Sequence, residues 1–296
     1  MSRWLLDVET SDPDDYLTLL LLLAHPAVDL AAVTVTPGTA QQIAVVRHAL
    51  ASLDRNDVRV GALDLDRPKD CVSRWHYEVL PLRPADVSRQ AEPAPALLGA
   101  LIGPDTTLVT GAPLKNLGAV LRARPERDPG ALGRVFVQGG FAGDDVVPFA
   151  DRLPKFRGRV TCPSFNLNGD PKSALLAVER AAWFGDLRFV SKNVCHGVVW
   201  DAEVADAVAV GIGRATGRWK RALQEIARCL AGMDGKALHD PFAACCAIEP
   251  AIARWAPVVP YRAKGEWGGK ARPVLADPHR HGLRPGVPEV LTATGS

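Results

Sequence analysis

Trp4-Leu-Leu-Asp-Val-Glu-Thr-Ser-Asp-Pro-Asp-Asp-Tyr-Leu-Thr-Leu-Leu-Leu-Leu-Leu-Ala24 opens the chain with an apolar strand, a turn holding Asp7, Glu9, Asp12, Asp14 and Asp15, and a strongly apolar helix. Carboxylates crowded in so short a turn repel one another and are costly to desolvate, unless they face water, a helix amino terminus or a cation. Helix capping explains part of the set. Asp12 suits the N-cap, Pro13 the first helical position, and Asp15 the acid of a capping box. Asp7 and Glu9 stand two residues apart on the strand, so their side chains share a face that capping does not use. A hard divalent cation would account for most of the set, since calcium takes about six to eight oxygen ligands in irregular geometry. At this point capping and metal binding both stand.

Working outward, a second strand is expected at about Leu30 to Thr36, broken by Pro37-Gly38-Thr39 and followed by a helix to about Leu53. A third strand follows near Val58 to Leu63. Strands and helices joined by short links give a parallel α/β sheet buried on both faces. From Asp64 to Pro95 the periodicity fails, and Trp75, His76 and Tyr77 stand together in a long loop. Such a loop is a lid, a binding loop or mobile chain; anchoring by the aromatic trio competes with substrate contact as the reading of His76.

Order returns with a helix at about Ala96 to Ile102, a strand Thr106 to Thr110 and a helix reaching about Ala123. Val135 to Phe141 reads as a buried strand that leaves through Gly139 and Gly140. The stretch from Ala142 to Cys162 is irregular and holds Arg152, Lys155, Arg157 and Arg159. Asp170 and Pro171 are placed to start a helix to Ala182, with a strand at Leu187 to Ser191 beyond it. A mostly helical region spans Asp201 to Ile248, edge strands are expected between Val258 and Val274, and the tail from Asp277 reads as loosely held. The expectation is a single domain over residues 1–296: a mostly parallel central sheet with helices on both faces and a helical subdomain near the carboxyl end.

The 296 residues are 47% apolar and 23% charged with a net charge of +2, which argues for neither a nucleic acid nor a membrane partner. The apolar run from Leu17 to Leu23 is too short to span a bilayer and no secretory signal precedes it, so a cytoplasmic location is expected. The six cysteines show no metal-finger spacing and are read as reduced.

Four pieces then fit one family in order. They are the acidic turn Asp7 to Asp15, the turn Thr110-Gly-Ala-Pro-Leu-Lys-Asn116, Ser164-Phe-Asn166 ahead of Asp170-Pro171, and His239-Asp-Pro241. The chain resembles the inosine-uridine-type nucleoside hydrolases over most of its length. The family's opening signature is Asp-x-Asp-Pro-Gly-x-Asp-Asp; here Glu9 replaces the second Asp and the turn has one extra residue.

The resemblance implies a calcium ion at the carboxyl ends of the parallel strands, held by Glu9, Asp15, Asp240 and a backbone carbonyl near Thr110. It implies Glu9 as general base, Asp14 at the ribose and in catalysis, and His239 as general acid toward the departing base. Asp7, Thr39, Asn166, Asn168 and His76 are expected substrate contacts. The implied activity is hydrolysis of the N-glycosidic bond of a ribonucleoside or related ribosyl compound, in a homo-oligomer acting on a small molecule. Ser164 stands where the family carries a Glu on the 5′ side of the sugar, and this loss of an acid near Arg152 to Arg159 suggests a 5′-phosphate on the substrate. Two other readings remain beside it: a ribosyl-binding protein that kept the metal site without turnover, and an α/β protein whose acids only cap helices.

Overall fold

The computed structural model describes residues 2–124 and 129–271, and the backbone of 290–295. The first half alternates strand and helix: β1 (Arg3–Val8), α1 (Pro13–Ala24), β2 (Asp29–Val35), α2 (Ala40–Ser52) and β3 (Arg59–Ala62). The long loop expected next is broken by α3 (Arg74–Val79) and by β4 (Glu92–Pro93), a two-residue strand beside β3. Then come α4 (Ala94–Leu101), β5 (Thr106–Thr110), α5 (Lys115–Ala123) and β6 (Arg134–Gln138). After the irregular stretch follow α6 (Phe165–Gly169), α7 (Pro171–Glu179), β7 (Asp186–Val190) and α8 (Lys192–Cys195). The helical region resolves into β8 (Val199–Trp200), α9 (Ala202–Arg214), α10 (Gly217–Leu230), β9 (Lys236–Ala237) and α11 (His239–Ile248). A hairpin of β10 (Arg254–Ala263) and β11 (Glu266–Ala271) precedes β12 (Val290–Gly295).

Among the described residues the main sheet runs β11-β10-β12-β7-β6-β5-β1-β2-β3-β4. From β12 to β4 all neighbours are parallel; β10 is antiparallel to β12, and β11 is antiparallel to β10. β12 corrects the expectation of a loosely held tail. Most of the tail from Asp277 lies outside the described residues, but its end is a strand between β7 and β10.

Alternation along β1 divides the core. Trp4, Leu6 and Val8 join one apolar layer with α1, α2, α10 and α11; Leu5 joins the other with α4, α5 and α7. The leucine run of α1 is buried on nearly all sides, because α2, α10 and α11 cover it. A helix apolar all round has to be an inside helix, and each fully buried leucine contributes roughly 2 kcal/mol.

The order of strands fixes the place of the site. From β1 the chain moves outward through β2 and β3, then returns to the other flank of β1 as β5. The chain therefore leaves β1 and β5 toward opposite faces of the sheet, a topological switch point where open α/β sheets leave a crevice for ligand. Asp7, paired in register with Thr110, lies at that crevice.

Candidate active site

The acidic turn, the start of α11 and the start of α6 converge on a cavity of about 470 Å³ over this crevice. Glu9, Asp14, Asp15 and Asp240 form one wall, with Gly111 between.

α1 starts as its sequence dictates. Asp12 is the N-cap, its backbone N–H donates to Asp15 Oδ2 at 3.0 Å, and its Oδ1 accepts from the Asp14 N–H at 3.3 Å. Capping is thus real, and it leaves the rest of the cluster unexplained. Asp14 Oδ2 accepts from the backbone N–H groups of His239 and Asp240, at 3.0 and 3.3 Å, so it ties the start of α11 to the start of α1 across more than two hundred residues. Asp15 and Asp240 then meet side chain to side chain. A Cβ on Gly111 would lie 2.6 Å from the Asp240 carboxylate, so only glycine leaves room for this approach.

Asp7 is wholly buried and does not reach the cavity wall. Its Oδ1 accepts from Thr34 Oγ1 at 2.7 Å and Asn116 Nδ2 at 2.8 Å, while Oδ2 has no partner. Glu9 is nearly buried, with Oε2 accepting from Ser11 Oγ at 2.8 Å.

Burial pushes Asp7 and Asp14 up to about 7; Asp12 beside Asp14 adds to its shift. Asp15 and Asp240 are driven well above the usual carboxylate range, first by burial and then by the carboxylates around them; burial raises Glu9 too. Lys236, 3.6 Å from Asp14 Oδ1 and also paired with Asp12, offsets only part of this crowding. A buried, all-oxygen donor set with too little positive charge of its own and a close approach kept open by a glycine fit a hard divalent cation.

The rest of the lining is Gln138, Ser164, Asn166, Lys192, His196 and His239, with exposed Phe165. Asn166 Nδ2 donates to Gln138 Oε1 at 2.8 Å, and Ser164 Oγ accepts from the Gly140 N–H at 3.1 Å. The rings of His196 and His239 lie 4.5 Å apart. Burial and then Lys236 depress His239 to about 4, so the free protein holds it as a neutral imidazole. That alters the expectation of a general acid, which rested on an unperturbed ring. His239 Nδ1 is unpartnered. Cys195, His196 and His239 bring three ligand atoms within 4.8 Å of one another. Their sulfur and nitrogen donors suit a softer metal than the carboxylate wall does.

Besides Asp7, whose carboxylate is bonded beneath the cavity, three expected substrate contacts have other work. Thr39 is buried as the N-cap of α2, exchanging capping-box bonds with Gln42. His76 is buried edge-on against Tyr16 and Trp75, and its Nδ1 pairs with Ser73 Oγ at 2.7 Å; since the Ser73 N–H donates to the Thr10 carbonyl, the trio anchors its loop to the acidic turn. Asn168 Oδ1 accepts from Trp267 Nε1 at 3.0 Å, holding β11. None of the three lines the cavity: Thr39 and Asn168 depart from their expected contacts, and His76 takes the anchoring alternative.

The basic cluster also divides. Arg152 is 3.4 Å from Asp144 and donates to the Val147 carbonyl, and Arg157 lies over Phe149. Only Lys155 approaches the cavity, 3.0 Å from His196 Nδ1. Gln138, Lys192 and His196 had no motif to announce them. They come from a strand end and a four-residue helix that meet only on folding.

Comparison with known proteins matches residues 4–273 to the family described as inosine-uridine preferring nucleoside hydrolase. No curated protein is similar enough in sequence to match. Among solved structures the chain is similar to a plant nucleoside hydrolase, at 20% identity and a TM-score of 0.65 over 99% of this chain and 93% of that one. It is similar to a purine-preferring ribonucleoside hydrolase from Gardnerella vaginalis at 17% identity and a TM-score of 0.65, covering 99% and 93%. An inosine-uridine preferring nucleoside hydrolase from Bacillus anthracis gives 16% identity and 0.65, covering 99% and 94%.

Proposed function

The chain belongs to the inosine-uridine preferring nucleoside hydrolase family and is an N-ribosyl hydrolase, and on that premise we propose that it is calcium-dependent, with the carboxylate wall as its metal and sugar site. The observation that carries this reading is the convergence of Glu9, Asp14, Asp15 and Asp240 on one cavity wall at the switch point of the sheet.

Asp15, Asp240, Glu9 and the backbone carbonyl of Thr110 would hold the ion. When bound, it supplies positive charge that offsets these carboxylates and a hard anchor for sugar hydroxyls. The chain's own groups do the rest. Water adds to the anomeric carbon as the bond to the base nitrogen breaks; Glu9, held by Ser11, takes the proton lost by that water. Positive charge growing on the ribosyl ring is met by the carboxylates, which the fold holds buried and in place. Asp14 and Asn166 hydrogen-bond the ribose, and the bonds they already make fix their orientation. Neutral His239 gives an N–H hydrogen bond to the departing base. Asp7 ties β1 to β2 and α5 beneath the site through Thr34 and Asn116.

The test is release of reducing sugar from a panel of ribonucleosides, with calcium or with a chelator, on the wild-type protein and Asp240→Ala. Release that needs calcium and falls at least a thousandfold in the variant, on the order of magnitude seen when a primary catalytic charge interaction is removed, supports the reading. Release unaffected by chelation sinks the metal assignment.

A further inference from the structure

The two walls of the cavity differ in charge. Besides the carboxylates, the cavity is lined by Lys192 and His196, with Lys155 against His196. Lys236 is neutralised by Asp12 and Asp14, yet among the described residues no carboxylate forms an ion pair with Lys155 or Lys192. Lys192 Nζ donates one hydrogen bond, to the Pro163 carbonyl at 2.9 Å, and an ammonium has three hydrogens.

The polarity of the neighbours follows from what they already bond. An ammonium only donates, so His196 Nδ1, 3.0 Å from Lys155 Nζ, is the acceptor, and the ring hydrogen of the neutral tautomer sits on Nε2. Ser164 Oγ accepts from the Gly140 N–H, which leaves its own hydrogen to give. Lys192, His196 and Ser164 thus line the cavity as donors, and among the described residues no carboxylate pairs with the Lys192 ammonium. Donors of this kind at a concave wall select an anion. A neutral nucleoside offers them none.

We propose that this wall receives an anionic group carried by the ribosyl substrate, either a phosphate monoester on the sugar or a carboxylate on the base. The inference rests on the hydrolase reading and adds the substrate class. Lys192 supplies the charge contact, Lys155 reinforces it through His196, and Ser164 adds a neutral donor. Both sources of the anion share this chemistry, and the substrates tried separate them.

The experiment compares uridine, uridine 5′-monophosphate and orotidine. Turnover is measured on the calcium-loaded wild type, Lys192→Gln and Lys192→Arg; binding is measured by calorimetry in a Glu9→Gln background. Expected is a kcat/KM at least tenfold above uridine for one anionic compound, carried mainly by KM. Lys192→Gln should remove most of that advantage and Lys192→Arg keep most of it. An advantage for uridine 5′-monophosphate assigns the phosphate, and one for orotidine the carboxylate. Uridine bound and cleaved as well as both anionic compounds overturns the proposal, as does an anionic advantage that survives in a folded Lys192→Gln protein. If no compound is cleaved, the hydrolase reading fails, while the calorimetric ratios still decide for or against the anion wall.

Discussion

Asp15 and Asp240 are buried side by side, and what occupies the space around them decides whether they strengthen or weaken the fold. Without a cation, the native state favours their protonated forms. Asp7 and Asp14, raised from 3.8 to about 7 mainly by burial, set the window. A carboxyl with a raised native pKa contributes stability that is full below its unfolded pKa and lost as pH rises through the native value. A cation must displace those protons, so its binding strengthens as they leave. The calcium-induced rise in melting temperature should therefore be small near pH 5 and grow steadily to about pH 8. A rise that is flat across this range refutes the coupling. In chelator at neutral pH, Asp15→Asn should melt above the wild type, since an amide is neutral beside Asp240 without taking up a proton. With calcium the order should reverse.

His239 can be tested against its leaving group. A neutral imidazole that hydrogen-bonds a departing base matters most when the base is a poor leaving group and little when it leaves readily. His239→Ala should lower kcat at least a hundredfold on inosine and less than tenfold on p-nitrophenyl riboside, on the usual scale of general-acid assistance. Equal losses on both would mean that the ring only positions its neighbours.

At the level of elements, the acidic turn performs capping and site-building with different residues, and substitutions separate them. Asp12→Ala should cost about 1 kcal/mol with or without calcium, as the loss of an N-cap does. Gly111→Ala should keep the fold but abolish stabilisation by calcium, because its Cβ would strike the Asp240 carboxylate. Melting curves with and without calcium read both effects.

This division shows how far the sequence could be read. Asp12-Pro13 with Asp15 spelled a helix start, and the surplus of Asp7 and Glu9 pointed beyond one. The strands were legible because parallel strands buried on both faces are apolar throughout. Thr39-x-x-Gln42 also spells a capping box, and that local signal accounts for Thr39 better than the sugar contact suggested by family resemblance. Lys192 and His196 were illegible for a physical reason. The four-residue helix that begins at Lys192 and is capped by His196 has no period to detect, and only the placement of β7 brings it to the cavity.

Across the whole molecule, the least legible element joins the sheet's two parts. The segment from Asp277 is rich in Pro, Gly and His, which suggests no order, yet the chain ends by inserting β12 in parallel beside β7 and antiparallel beside β10. The β10–β11 hairpin thus reaches the parallel sheet through the last strand in sequence. A second tie is the bridge between Cys162 and Trp267. β12 also packs on α8, which carries Lys192, whereas the carboxylate wall is built on β1, α1, β5 and α11 at some remove along the sheet. A chain ending before Val290 should fold with a lower denaturant midpoint, by roughly 3–5 kcal/mol of stability, because two ladders of hydrogen bonds and the packing they support are lost. Calcium should still raise its melting temperature as much as in the full chain. Its preference for an anionic over a neutral riboside should shrink, since α8 loses the strand beneath it. Loss of calcium stabilisation in the same proportion as anion preference would show that the two walls are one cooperative unit and not separately supported.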